Sequence, residues 1–272
     1  MSSSIRGAVL GSPITHSLSP VLHSKAFEFL GSEGSYQRVE VGEDQLQGFF
    51  AERASEFDYL SLTMPLKEVA LSLPVTIDET STRIQSSNTL YRRDEQWHLT
   101  STDGSGLISA LRNAGHSKFE KILILGAGGT ARAVVGALDG KASSISVLGR
   151  TSTRREVLQS AVSISDFEYL RWSDSPEFSQ YDLVVNTTPA GAADLLADSL
   201  LPGDAHLLFD VIYKPWPTVL GSRWSDAGGE VINGLELLLY QGIHQLALVL
   251  DQEIDESALA NHIRPHLLKA IR

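Results

Sequence analysis

The stretch Ile122-Leu123-Ile124-Leu125-Gly126-Ala127-Gly128-Gly129-Thr130-Ala131 decides the fold of this chain. A short apolar run reads as a buried strand, and a glycine turn follows it directly. Gly126, Gly128 and Ala131 keep the Gly-x-Gly-x-x-Gly/Ala spacing. The three positions serve, in order, a tight turn, close approach of backbone to a diphosphate, and close packing of the next helix on the strand. The diphosphate would rest on the helix N-terminus, so Gly126, Ala127, Gly128, Gly129, Thr130 and Ala131 form the candidate cofactor turn. An ordinary βα turn can share the spacing; the flanking strand and helix patterns favour the dinucleotide reading.

Working outward, strand and helix patterns alternate almost throughout. Strands are predicted at 7–10, 36–41 and 59–63, and helices at 19–30, 43–54 and 65–73. Ser19 and Pro20 suit the N-cap and N1 positions of the first helix. Segments 88–91 and 97–100 flank Arg92-Arg93-Asp94-Glu95-Gln96 as a hairpin, and 102–114 reads as a helix closed by Gly115. Further strands are expected at 145–148, 183–186, 207–211 and 230–232, and helices at 235–250 and 256–271. Alternating βα units with short loops predict an α/β protein with parallel sheets covered on both faces.

The bulk composition excludes several classes of function. The net charge is −11 over 272 residues. Such a chain is a poor partner for nucleic acid or anionic lipid, which need clustered Lys and Arg. An anionic ligand must be held by placed cations and backbone N–H groups, because the global field repels it. No apolar run approaches the roughly 20 residues of a membrane helix. Cysteine is absent. That removes disulfides, thiolate metal sites and cysteine nucleophiles, and with an N-terminus lacking a secretory pattern it suggests a cytoplasmic location. No metal is called for.

The strand end after the glycine turn sets the cofactor type. A carboxylate about 20 residues on would hold the ribose 2′-hydroxyl of NAD. Val147-Leu148-Gly149-Arg150-Thr151 has no acid, and Arg154 and Arg155 follow. Arginine suits a 2′-phosphate through its bidentate fork, so NADP is favoured over NAD. A solvated basic loop is the plainer alternative. Asn186-Thr187-Thr188 closes another strand and would lie under the ribose–nicotinamide end, though a simple turn would look alike.

The N-terminal part carries a second constellation. Ser61-Leu62-Thr63-Met64-Pro65-Leu66-Lys67 puts a lone lysine just past a strand end, where it can pass a proton to a substrate oxygen. Lysine with a dinucleotide site points to hydride plus proton transfer between an alcohol and a ketone. Ser17 and Ser19, just before a helix, offer two hydroxyls to a carboxylate. Ser19 could simply cap its helix; Ser17 has no such local role. Asn88 and Asp103 also sit at element boundaries.

As a set these residues resemble the shikimate dehydrogenase family over nearly the whole chain. The landmarks occur in family order: Gly11-Ser12-Pro13-Ile14, His16-Ser17-Leu18-Ser19-Pro20, Thr63-Met64-Pro65-Leu66-Lys67, Asn88-Thr89, Thr102-Asp103-Gly104, Gly126-Ala127-Gly128-Gly129, Arg150-Thr151, Asn186-Thr187-Thr188-Pro189, Asp210-Val211-Ile212-Tyr213-Lys214-Pro215, Gly234-Leu235 and Gln241. The resemblance implies a discontinuous α/β substrate domain, 1–104 with 235–272, and a Rossmann doubly wound NADP domain, 105–234. It implies Lys67 and Asp103 as the catalytic pair. Ser17 and Ser19 would hold the shikimate carboxylate, and Thr63, Lys67, Asn88, Asp103 and Gln241 the ring hydroxyls, with Tyr213 nearby. Arg150, Thr151 and Arg154 would take the 2′-phosphate, with Asn186, Thr187, Thr188 and Gly234 on the rest of the cofactor. Monomer and homodimer remain open.

The chain departs from the family pattern in places. Ser61 and Ser101 stand where asparagine is common, Gln85-Ser86-Ser87 lacks the glycine before Asn88, Gly149 replaces an asparagine, and Leu237 replaces a methionine. An NAD-dependent quinate/shikimate dehydrogenase and a non-catalytic nucleotide-sensing paralogue are the alternatives. The first is disfavoured by Ser19 and the Arg150 cluster, the second by retention of Lys67 and Asp103.

Overall fold

A computed structural model describes residues 4–174 and 176–271. In chain order the elements begin with β1 (Ile5–Gly11), α1 (Ser19–Leu30), β2 (Gly34–Glu40), α2 (Leu46–Arg53), β3 (Tyr59–Leu62) and α3 (Leu66–Val69). β4 (Thr76–Ile77), α4 (Glu79–Ile84), β5 (Thr89–Arg93), β6 (Gln96–Thr100) and α5 (Asp103–Asn113) follow. Then come β7 (Phe119–Leu125), α6 (Gly129–Leu138), β8 (Ala142–Gly149), α7 (Arg155–Ser160), β9 (Asp166–Arg171) and β10 (Leu183–Asn186). β11 (Leu207–Asp210), α8 (Val219–Asp226), β12 (Glu230–Asn233), α9 (Gly234–Leu250) and α10 (Glu256–Ala270) complete the chain. It divides into two compact units: residues up to Gly106 with those from Leu238 on, and Leu107–Leu237. Both crossings fall inside helices, α5 and α9.

The first unit is built on a sheet of order β2-β1-β3-β5-β6-β4. β1 runs parallel to β2 and β3, while β5 runs antiparallel to β3 and β6. The sheet is thus mixed, where alternation alone predicts parallel strands. β5 and β6 are joined by the Asp94-Glu95 turn, whose residues have φ of 50° and 63°. Two consecutive positive φ values match the twist of a tight hairpin. Leu10, Leu60, Leu62, Leu90 and Leu99 from four strands meet Leu46, Phe57 and Leu66 in one core.

The second unit carries a parallel sheet of order β12-β11-β10-β7-β8-β9. That is the doubly wound Rossmann order, with its switch point between β7 and β10. Leu123, Leu125, Val184 and Leu208 form the core with Phe178 and Trp224, whose rings meet edge-on at 5.2 Å.

Several details depart from the sequence reading. α1 has Leu18 at its N-cap, and no side chain caps it; Ser19 is already helical. β7 and β8 start earlier than their apolar runs, because only their C-terminal halves are buried. β4, α4, α7 and β9 carry no expectation from sequence. β9 is an edge strand, Asp-Phe-Glu-Tyr-Leu-Arg, mostly exposed or half-buried, so it lacks an apolar run. α4 was signalled only by Asp78, whose carboxylate accepts the Ser81 N–H at 2.7 Å. Among the described residues no helix is long and apolar enough to cross a membrane.

His23 of α1 is fully buried against Tyr36, ring on ring at 4.0 Å, and its Nδ1 lies 2.8 Å from the Tyr59 hydroxyl. Burial disfavours its cation and lowers its pKa from 6.5 to about 3. The folded-state value is depressed, so between pH 6.5 and 3 the unfolded chain binds the extra proton. Stability from this group is complete above pH 6.5 and declines as pH falls, by at most about 1.4 kcal/mol per unit. Urea unfolding of wild type and His23→Gln across this window should show a shallower pH slope in the variant. Equal slopes would show that His23 is not the titrating group.

Candidate active site

Strand direction gathers the candidate residues of the first unit at one sheet edge. β1 and β3 are parallel, so the loops after them lie side by side; Ser12 N–H donates to Met64 O at 3.1 Å and Thr63 N–H to Leu10 O at 2.9 Å. The first loop carries Ser17 and Ser19, the second Thr63 and Lys67. β5 is antiparallel to β3, with Ser61 opposite Thr89, so Asn88 enters at this edge. β6 returns antiparallel, with Thr100 opposite Thr89, and delivers Thr102 and Asp103 to the same place.

There Lys67 Nζ donates to Asp103 Oδ2 in an ion pair whose side chains are 16% and 5% exposed. Asp103 Oδ1 accepts from Asn88 Nδ2 at 2.8 Å. The same amide nitrogen lies 3.1 Å from Gln241 Oε1 and 3.1 Å from Thr102 Oγ1. Asn88 Oδ1 accepts the Thr102 N–H and the Thr89 hydroxyl, both at 2.8 Å. Four of the expected residues, Lys67, Asp103, Asn88 and Gln241, therefore form one hydrogen-bonded group.

Ser17 and Ser19 are buried and paired: Ser17 Oγ donates to Ser19 Oγ at 3.2 Å and accepts the Ser19 N–H at 3.3 Å. Ser17 thus does have a local role, and Ser19 does not cap its helix, the reverse of the sequence reading. Arg38, which sequence reasoning missed, donates to Ser17 O from Nε at 2.8 Å and from Nη2 at 2.5 Å. A cation therefore stands directly behind the serine loop. Its only signal was an arginine in the alternating pattern of β2. A second missed group lies beneath Asn88. Gln245 Nε2 donates to Thr89 Oγ1 at 2.8 Å and Asn88 O at 3.2 Å, while its Oε1 accepts from Ser61 at 2.7 Å. Tyr36 donates to Ser61 Oγ at 2.6 Å.

Tyr213 and the cofactor candidates belong to the second unit. At the switch point Gly126 has φ of 103°, and a Cβ there would lie 2.7 Å from Thr187 Oγ1. Only glycine fits both demands. Thr187 is locked by its N–H and hydroxyl, which donate to Leu125 O at 2.9 and 2.8 Å. Asn186 is held within the protein: Nδ2 donates to Asp210 Oδ1 at 3.1 Å, and Oδ1 accepts from Thr188 N at 3.1 Å and Thr188 Oγ1 at 2.7 Å. Burial raises the pKa of Asp210, against hydrogen bonds from Thr218, Ile212 N–H and Asn186. Gly234 is required by packing, since a Cβ would lie 2.0 Å from Val211 O.

These residues fit a dinucleotide phosphate. A Cβ added at Gly128 would meet only Arg154 Nη1, at 3.8 Å, so the turn opens onto space with a guanidinium beside it. Arg154 Nη1 donates to Ala127 O at 3.2 Å, tying the basic segment to the glycine turn. Arg150 is exposed, and Thr151 Oγ1 lies 2.9 Å from Thr153 Oγ1.

Comparison with known proteins identifies the family. Residues 9–90 match the shikimate dehydrogenase substrate binding domain, and 109–200 match shikimate / quinate 5-dehydrogenase. A shikimate dehydrogenase (NADP(+)) from Methanothrix thermoacetophila is 36% identical, covering 86% of this chain and 87% of the relative. The chain belongs to the shikimate dehydrogenase family. A relative of the same name from Gloeothece citriformis is 32% identical over 95% of both chains. Among solved structures, Mycobacterium tuberculosis shikimate dehydrogenase superposes with a TM-score of 0.84 at 31% identity, over 96% of this chain and 99% of that one. The Thermus thermophilus shikimate 5-dehydrogenase, solved with NADP(H) and shikimate, gives 0.83 at 30%, over 96% and 99%. A Gluconobacter 5-ketofructose reductase gives 0.80 at 22% identity, over 97% and 99%, and shares the fold alone.

Gly106 fixes where Gln241 stands. A Cβ at 106 would lie 2.6 Å from Gln241 N, so α5 and α9 touch backbone to backbone. Gly106→Ala should force them apart, costing about 1–3 kcal/mol in urea unfolding. Wild-type stability in the variant would refute the contact.

Proposed function

We propose that this chain catalyses the reversible, NADP-dependent reduction of 3-dehydroshikimate to shikimate. The observation that carries it is the buried Lys67–Asp103 pair held in one network with Asn88 and Gln241, in a chain whose second unit is a Rossmann fold. A merely nucleotide-sensing protein has no need of that pair. The cofactor, when bound, supplies or accepts the hydride. In reduction the ring carbonyl oxygen gains negative charge, and Lys67 gives it a proton; in oxidation the lysine takes that proton back. Asp103 accepts from Lys67 and so fixes the ammonium group. Asn88 holds the other carboxylate oxygen of Asp103, leaving that pair little freedom to rotate.

In this reading Ser17 and Ser19 bind the substrate carboxylate, with Arg38 behind them supplying the charge that a chain of net −11 otherwise lacks. Thr63, Asn88, Tyr213 and Gln241 hold the ring hydroxyls. Residues 126–131 receive the diphosphate; Arg150, Thr151 and Arg154 receive the 2′-phosphate. Thr187, Thr188 and Gly234 shape the rest of the cofactor site. Asn186 acts through the loop, because its amide is spent on Asp210 and Thr188. A cysteine-free composition supports a cytoplasmic location.

Lys67→Ala should lower kcat for shikimate oxidation about 10²- to 10⁴-fold, the usual worth of general acid–base catalysis, with a small change in KM. A variant retaining most of its kcat would sink the assignment. A second test separates NADP from NAD enzymes. Wild type should prefer NADP, and Arg150→Ala should raise KM for NADP about tenfold or more, the worth of a hydrogen bond to a charged group. KM for NAD should hold. Equal use of both cofactors by wild type would favour the quinate-type alternative.

A further inference from the structure

Gly149 closes β8, and Tyr169 stands on the neighbouring edge strand β9. The register pairs Tyr169 with Val147, which makes Gly149 its diagonal neighbour on the same face. The tyrosine leans along the strand over the glycine: a Cβ at 149 would lie 1.9 Å from the phenol oxygen. Gly149 is not among the glycines with positive φ, so its backbone does not demand glycine. The tyrosine does.

The phenol has a definite partner. Tyr169 Oη donates to Thr151 O at 2.5 Å. Burial pushes its pKa up, and the nearby Arg154 charge opposes this, which places that guanidinium within electrostatic reach. The basic segment is therefore tied twice. Arg154 Nη1 holds it to Ala127 O in the glycine turn, and Tyr169 holds Thr151 O to β9.

We propose that Tyr169 is a positioning residue for the 2′-phosphate of the cofactor, and that glycine at 149 is the space it requires. By fixing the Thr151 carbonyl it sets Arg150, the Thr151 hydroxyl and Arg154 before the phosphate arrives. An exposed loop ordered in advance loses less entropy on binding, so the gain falls on affinity. The proposal rests on the NADP reading above. A tyrosine that only covered the sheet edge would act through its ring, and its hydroxyl would be dispensable.

The test uses the full chain without cofactor. Binding of adenosine 2′,5′-bisphosphate and of 5′-AMP is measured by calorimetry, and amide hydrogen exchange is followed over 150–155. Tyr169→Phe should weaken the bisphosphate about fivefold, the usual worth of one hydrogen bond, leave 5′-AMP unchanged, and speed exchange over 151–154. Gly149→Ala should reproduce the loss by displacing the phenol. In the double variant the losses should not add, as for two changes to one contact. If Gly149→Ala fails to fold, Tyr169→Phe decides alone. Wild-type affinity for the bisphosphate in Tyr169→Phe, or equal weakening of both probes, would overturn the proposal. A wild-type protein that binds both probes equally would overturn the NADP reading itself.

Discussion

The amide of Asn88 is the constraint on which the candidate site of the first unit depends. It is buried, and its donors and acceptor are all engaged: Nδ2 faces Asp103, Gln241 and Thr102, and Oδ1 accepts from Thr102 N–H and Thr89 Oγ1. Turning it over would set an oxygen against the Asp103 carboxylate and an NH₂ against the Thr102 N–H. Leaving buried polar groups unpaired costs about 1–3 kcal/mol each, so one orientation prevails. Through it the antiparallel hairpin, the start of α5 and the middle of α9 share one fixed point. The ion pair of Lys67 inherits its geometry from that point.

Most of the fold was legible because its signals are local. The apolar runs of β7, β10 and β11, the glycines of the dinucleotide turn and the Ser-Pro start of α1 each announce an element within a few residues. What was missed lacks such a signal. β9 lies at a sheet edge and carries alternating charges in place of an apolar run. The β5–β6 hairpin was read from its flanking segments, but the antiparallel pairing of β5 on β3 was not, because α3, β4 and α4 intervene and no local signal sets the direction. At the site, Lys67 and Asp103 were identified by their place in motifs. Arg38, Gln245 and Tyr36 were not, because their roles arise from partners far along the chain, 21 residues for Arg38 to Ser17 and 184 for Gln245 to Ser61. Ser19 does not cap α1 for a similar reason: the N-cap is Leu18, whose place no side chain announces.

Electrostatics explain why cations recur behind both sites. The whole-chain charge of −11 repels shikimate and NADP alike. Arg38 meets this in the first unit through Ser17, and Arg154 in the second through Ala127. Both act on backbone carbonyls of the loops that would touch an anion, so each fixes a loop while placing its own charge nearby. A lysine in either role would lose part of this, because the planar fork can hold a carbonyl and present further donors in fixed directions.

The departures at 61 and 149 share one physical logic. At each, a small residue meets a tyrosine from another strand of its sheet: Tyr36 bonds Ser61 at 2.6 Å, and Tyr169 would collide with any Cβ at 149. A serine or glycine alone would leave a void or a loose loop, which costs packing energy. Each tyrosine also donates a hydrogen bond, Tyr36 to Ser61, which in turn donates to Gln245, and Tyr169 to Thr151 O. Restoring asparagine at 149 requires the phenol to leave, and trimming Tyr169 leaves glycine without its partner.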